Sequence, residues 1–281
     1  MEAHVFALVL VAAALHAGWN AVVKLGLDRL LAITLIAGSA GLVALLALPF
    51  APVPDPAAWP WLLTSIVLHV GYNVCLVQAY RTGDFGQVYP IARGTAPLIV
   101  TLVAVFLLAE TLTPAALLGI ALLVGGVWLM SLRGGRDLAR MDRSALGFAL
   151  LTSAFIAGYT LTDGQGARVA GSAHGYTMWL FALDGLAMVL LLLALRGRHA
   201  FAVLRPHWKT GLGGGAMSLG AYWIAIWAMT EAPIALVAAL RESSVLFAAA
   251  ISVVILREPL TRWRAAAALS IVAGVVMMRL G

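Results

Sequence analysis

Charge is scarce in this chain. Only 11% of its 281 residues are Asp, Glu, Lys or Arg, against 63% from the set AVILMFWYC. A soluble domain carries about 25% charged residues to keep its surface wet, so a water-soluble fold is excluded. Cysteine is nearly missing as well. Cys75 stands alone within an apolar run, which excludes an intrachain disulfide and a cysteine metal site. Also absent are H-E-x-x-H, G-x-x-x-x-G-K-[ST], G-x-S-x-G and any Asp-rich diphosphate motif, so neither an enzyme nor direct use of ATP is expected. The run Gly211-Leu212-Gly213-Gly214-Gly215-Ala216 imitates a dinucleotide fingerprint, but it opens an apolar helix with no strand before it. Close helix packing accounts for it. No cofactor, nucleic acid or ATPase subunit is expected.

What the chain does have is apolar length, with a mean hydropathy of +0.99. A span takes about 20 apolar residues, and the sequence predicts ten. They are Val5–Val23, Leu30–Phe50, Trp61–Tyr80, Phe85–Leu108, Ala115–Leu132, Ala145–Asp163, Thr177–Leu195, Leu212–Met229, Ile234–Leu256 and Trp263–Leu280. Each is read as a helix, since a lipid-facing segment must satisfy its own backbone hydrogen bonds. Met1-Glu2-Ala3-His4 lacks a positive n-region, so the first run reads as a span rather than a cleavable leader. Trp59, Trp61, Trp208 and Trp263 fall at span ends, where amphipathic rings prefer the headgroup layer.

The net charge of +6 resides in short loops. The odd-numbered loops hold Lys24, Arg29, Arg81, Arg133, Arg136, Arg140, Arg143, Arg196, Arg198, Arg205, Lys209, Arg257, Arg262 and Arg264. Even-numbered loops and termini hold only Arg168 and Arg279, and Arg93 and Arg241 lie inside spans. Positive loops stay in the cytoplasm, so both termini are expected outside.

The chain also repeats itself. Sliding it by 148 residues lays Arg93 on Arg241, Glu110 on Glu258, Leu112 on Leu260, Thr113 on Thr261, Gly126 on Gly274 and Met130 on Met278. An offset of 140 lays Ala17-Gly18-Trp19 on Ala157-Gly158-Tyr159. Residues 1–135 and 145–281 are therefore expected to form two five-helix repeats. Five is odd, so the second must be upside down, and inverted repeats around a midplane site are a transporter architecture. The expected class is an all-α membrane protein.

Ala79-Tyr80-Arg81-Thr82-Gly83-Asp84, Tyr89-Pro90, Pro97 and Ala109-Glu110-Thr111-Leu112 in the first half, with Ala232-Pro233-Ile234-Ala235 and Leu256-Arg257-Glu258-Pro259-Leu260 in the second, resemble the drug/metabolite transporter superfamily, its EamA group in particular. The resemblance covers nearly the whole chain. It implies a multi-pass protein of the bacterial inner membrane, and the aromatic content looks most like YddG-type amino-acid exporters. Many members are expected to keep their termini inside, which the loop charges here oppose.

A charge in hydrocarbon costs about 2.5–3.5 kcal/mol on insertion scales, so each calls for a partner or a wet cavity. Arg93, Asp163, Asp184, Arg241 and Glu242 are such charges, with His16 and His69 as milder cases. Arg93 or Arg241 could clamp a carboxylate with two parallel hydrogen bonds; equally, Arg241 could form an ion pair with Asp163 or Asp184. Asp163, Asp184 or Glu242 could hold an amine or a proton. Polar stripes at helical spacing add Trp19 and Asn20 on span one, Tyr72, Asn73 and Tyr80 on span three, Tyr89 on span four, Tyr159 on span six, Tyr222 on span eight and Ser244 on span nine. Pro90 and Pro97 are expected to interrupt span four, and Pro233 to open span nine. Glu110 and Glu258, just beyond spans four and nine, suit a helix cap or a gate salt bridge.

The function expected is export of small zwitterionic solutes, most of all amino acids, by alternating access across the inner membrane. Export of cationic drugs or polyamines is the rival within transport. A membrane-embedded enzyme, receptor or scaffold is the rival outside it.

Overall fold

The computed structural model describes residues 1–22, 27–82, 85–132, 142–254, 257 and 260–281. Twelve α-helices are seen among them: α1 (Ala3–Val22), α2 (Arg29–Ala47), α3 (Trp59–Thr82), α4 (Phe85–Phe106), α5 (Pro114–Leu132), α6 (Arg143–Arg168), α7 (Ala173–Arg196), α8 (His199–Leu204), α9 (Trp208–Glu231), α10 (Ile234–Arg241), α11 (Ser244–Val254) and α12 (Arg262–Leu280). Helix α8 is a short piece between spans, and α10 with α11 forms one broken span. That leaves ten crossings.

Short polar side chains start several helices where the sequence leaves the apolar run. Asp28 accepts from the Leu30 N–H at 3.1 Å, Asp142 from Ser144 at 2.6 Å, and Ser172 from Gly175 at 3.1 Å. Each satisfies an orphan donor of the first turn. Apolar side chains turn outward elsewhere: Leu46, Phe106 and Leu280 are each more than two-thirds exposed, as suits a hydrocarbon solvent.

Helix α5 packs along α12, α2 along α7, α3 along α6 and α1 along α9. The first two contacts are reciprocal. A methyl group built on Gly126 would meet Ala267 and Ile271, and one on Gly274 would meet Gly119 and Leu123. Gly274, Ala267 and Ile271 stand 148 residues after Gly126, Gly119 and Leu123, which is the sequence offset. On α2 and α7, Gly41 meets Gly185 and the Phe181 carbonyl, while Gly185 meets Gly41 and the Ala37 carbonyl. Such self-matching contacts are the mark of a two-fold relation. Higher numbers on α5 face lower numbers on α12, so these helices are antiparallel and the axis runs across them. The second five-helix repeat is therefore inverted relative to the first.

The turns repeat too. Ala109 (φ 53°) and Arg257 (φ 56°), again 148 apart, are the non-glycine residues with left-handed backbone among those described. That conformation costs an L-residue about 1–2 kcal/mol. At Ala109 it turns the chain past the end of α4, where the Glu110 N–H bonds back to the Ala104 carbonyl at 2.9 Å.

One expectation fails. Helix α4 runs unbroken through Pro90 and Pro97, whereas span nine breaks at Glu242 and Ser243. Pro233 does open that span, as the N-cap of α10. Pro97 cannot donate to the Arg93 carbonyl, but the loss of one bond leaves the rest of the ladder intact. At the break, the N–H groups of Glu242, Ser243, Val245 and Leu246 tighten to i−3 carbonyls, at 2.9–3.1 Å. The chain turns there without leaving those donors bare.

Candidate functional site

The break in span nine sets Arg241, Glu242, Ser243 and Ser244 in the middle of the bundle, all buried. Across from it, Gly94 on α4 lets the Trp128 indole lie against the backbone beside Arg93. Arg93 and Glu242 then meet in a two-pronged ion pair: Nη2 lies 3.0 Å from Oε1, and Nε donates to Oε2 at 3.1 Å. Both side chains are 6% exposed. The charge-assisted Nε–H bond and the second ion-pair contact beside it fix orientation as well as charge. The pair also joins the halves of the protein, which the sequence did not anticipate.

Arg241 takes no carboxylate partner among the described residues. Its guanidinium lies over the Tyr222 ring, 4.7 Å from the centroid, and makes no hydrogen bond to any described residue. The pairing of Arg241 with Asp163 or Asp184 is therefore corrected. Asp163, fully buried, instead accepts from Tyr222 Oη at 2.6 Å and Tyr176 Oη at 3.0 Å. Two hydroxyl donors, one to each carboxylate oxygen, hold it in place.

Around these groups the rings touch in a chain. His69 stacks on Tyr159 at 4.0 Å and meets Tyr222 edge-on at 5.8 Å. Tyr72 and Tyr222 stand edge-on to Tyr159 at 5.7 and 6.0 Å, and Phe181 adds a further edge against Tyr222 at 6.1 Å. His69 Nδ1 lies 3.0 Å from the Ser65 carbonyl, one turn earlier on α3. Asp184 lies on α7, 9% exposed, and its Oδ1 has no hydrogen-bond partner among the described residues. One turn further along, Asn73 on α3 donates to Met188 on α7 at 3.4 Å. That contact sets the register of the two helices, with His69 and Asp184 each one turn before it.

Span one contributes differently. The Trp19 indole donates to His16 Nδ1 at 3.3 Å, and Asn20 donates to the His16 carbonyl at 2.8 Å. His16 lies in the field of both Arg93 and Arg241, so this self-bonded group sits on the cationic side of the site. Ser244 is buried at the first turn of α11. Glu258 lies outside the described residues, as do the side chains of Tyr80 and Tyr89.

Glu110 stands apart from this cluster. Its carboxylate accepts from the N–H groups of Ile234 and Ala235, at 2.9 and 3.3 Å, at the N-terminus of α10. Arg168 meets it at 2.9 Å and also donates to the Met229 and Ala232 carbonyls. One carboxylate thereby ties together the ends of α4, α6, α9 and α10, all belonging to even-numbered loops. The second loop joins them, with Asp55 N–H donating to the Ala170 carbonyl at 3.2 Å. Sequence reasoning missed Tyr176 and gave Arg168 no role. Its being one of two basic residues on the even-loop side was the available signal.

Among the described residues, two buried guanidinium groups, three buried carboxylates and an aromatic wall thus meet at the centre of an inverted repeat. A solved crystal structure superposes on this chain with a TM-score of 0.78, covering 100% of this chain and 98% of that one at 17% identity, which shows a shared fold. A multidrug transporter of Pseudomonas aeruginosa is 46% identical over 57 residues, 20% of this chain and 52% of that protein. The match thus spans about half the length of that relative. The EamA-like transporter family matches residues 5–132 and again residues 143–280. Two copies of that unit account for almost every residue described, and the chain belongs to the EamA-like transporter family of the drug/metabolite transporter superfamily.

Proposed function

We propose that the protein exports small zwitterionic solutes, amino acids above all, across a bacterial inner membrane by alternating access, with both termini in the periplasm. One observation carries the reading. Arg241 is a buried cation over a tyrosine face with no hydrogen bond to any described residue, whereas Arg93 is already held by Glu242. A bare guanidinium in a low-dielectric site calls for an anion, and a carboxylate meets its fork with two bonds. Asp163 and Glu242 are both occupied, which leaves Asp184 to face the other end of such a solute. The network around Glu110 closes the even-loop face, and its opening would expose the site to that side.

The test is counterflow in proteoliposomes with phenylalanine, other amino acids and their decarboxylated amines. In Arg241→Lys, affinity for the amino acids falls more than tenfold, since a charge-assisted hydrogen bond contributes about 1.5–3 kcal/mol. The amines are carried as before. Normal amino-acid transport by this variant, normalised to folded protein, refutes carboxylate recognition by Arg241. Two observations favour export of cationic solutes as a second reading: among the described residues the buried carboxylates outnumber the guanidinium groups, and the Pseudomonas relative bears the name of a multidrug transporter. Amines carried where amino acids are refused would decide for it.

A further inference from the structure

We propose that Asp184 is the seat of an ammonium group on the transported solute, beneath the rings of His69, Tyr159 and Tyr222. The inference rests on the transport reading above and names the second pole of its substrate.

Three carboxylates lie in the core, and two are already engaged. Glu242 holds Arg93 through both oxygens, and Asp163 is held by two tyrosine hydroxyls. Asp184 has a buried oxygen with no partner among the described residues. An anion in such a place calls for a cation, because an uncompensated buried charge is costly. The surroundings suit an organic one. Asp184 lies one turn before Met188, which takes the Asn73 amide of α3, and His69 lies one turn before Asn73. His69 stacks on Tyr159 and touches Tyr222, and Phe181, one turn before Asp184 on α7, also reaches Tyr222. Ring faces attract ammonium through their quadrupoles. Tyr222 marks the border of the two poles, with Arg241 over its ring and its hydroxyl on Asp163.

The buried sum points the same way. Among the described residues, Arg93 and Arg241 supply two formal positive charges, and Glu242, Asp163 and Asp184 supply three negative ones when ionised. One monovalent cation at Asp184 balances the core.

Three probes separate the poles: phenethylamine has only the ammonium, 3-phenylpropionate only the carboxylate, and phenylalanine both. Binding is read by calorimetry on purified, detergent-solubilised wild type, Asp184→Asn and Asp163→Asn, each checked for its unfolding temperature. In Asp184→Asn, phenethylamine and phenylalanine should weaken about tenfold or more, while 3-phenylpropionate stays within about twofold. Unchanged amine affinity in that variant overturns the proposal, as does an equal loss in Asp163→Asn alone. Phenethylamine bound through Asp184 while phenylalanine is refused keeps the proposal and overturns the amino-acid reading. Wild type that binds none of the three overturns both. Should Asp184→Asn fail to fold, wild type is labelled with a hydrophobic carbodiimide and its Asp184 peptide followed by mass spectrometry. Protection by phenethylamine but not by 3-phenylpropionate supports the site, and equal labelling with and without the amine overturns it.

Discussion

Ser270 donates its hydroxyl to the Leu122 carbonyl at 2.8 Å, and these positions stand 148 residues apart. Equivalent positions of two repeats meet only on the axis that relates them, so α5 and α12 cross there. Close approach on either side depends on glycine. A methyl group on Gly126 would lie 2.9 Å from the Ala267 carbonyl oxygen and 3.0 Å from the Ile271 nitrogen, and these backbone atoms cannot swing away. Its neighbour Gly125 faces open space. Gly126→Ala should therefore destabilise the protein by about 1–3 kcal/mol through overpacking, and Gly125→Ala should not. Unfolding temperatures of the two purified variants check this. Equal values would show that the helices adjust freely.

The Arg93–Glu242 pair joins the halves from within the core. Removing one partner strands the other charge, at a cost of about 3–5 kcal/mol, while removing both leaves a neutral site. Arg93→Met and Glu242→Leu should each lower stability sharply, and the double variant should recover most of the loss. A double-mutant cycle on unfolding temperature or denaturant midpoint reads the coupling. Additive effects would mean that the pair holds nothing together.

Glu110 offers a local measurement. With its carboxylate gone, the Ile234 and Ala235 N–H groups lose their acceptor. Hydrogen bonds to a charged acceptor contribute about 1.5–3 kcal/mol. Amide exchange in the first turn of α10 should then quicken about tenfold or more in Glu110→Ala, with α2 and α7 unchanged. Exchange that stays slow would show α10 to be held by packing alone.

Orientation rests on loop charge. A reporter active only in the cytoplasm should stay silent when fused after Gly281 and give signal when placed in the loop holding Arg133 to Arg143. The reverse pattern would place the termini inside.

The ten crossings were legible in the sequence because lipid leaves little choice: apolar length plus obligatory backbone bonding means helix. The repeat was legible as well, since Gly126 and Gly274 carry the same packing duty in each copy. The break in span nine was not. Arg241-Glu242-Ser243-Ser244 holds neither proline nor glycine, whereas α4 holds Pro90 and Pro97 and stays whole. A proline's missing donor is a local fact that any window reveals. A turn where Glu242 meets Arg93, 149 residues away in the chain, is a tertiary fact. For the same reason the sequence named Arg93, Arg241, Asp163, Asp184 and Glu242 as a group, and the pairing it offered, Arg241 with Asp163 or Asp184, is not the one formed. Charge in hydrocarbon can be counted from residues, but which oxygen faces which nitrogen depends on how helices from opposite halves come together. Glu110 shows this too: its place after α4 suggested a cap, and the helix whose N–H groups it takes is α10.

The imbalance among the five buried charges reaches beyond recognition, to membrane voltage. With all five groups ionised, the described residues of the empty site sum to one net negative charge, and moving a unit charge through 100 mV involves about 2.3 kcal/mol. A monovalent ammonium solute would cancel that charge, so voltage would act on the returning empty carrier and not on the loaded one. A zwitterion leaves the sum unchanged, and both forms would feel the field alike. Steady-state current across a voltage-clamped bilayer would thus distinguish the two solute classes.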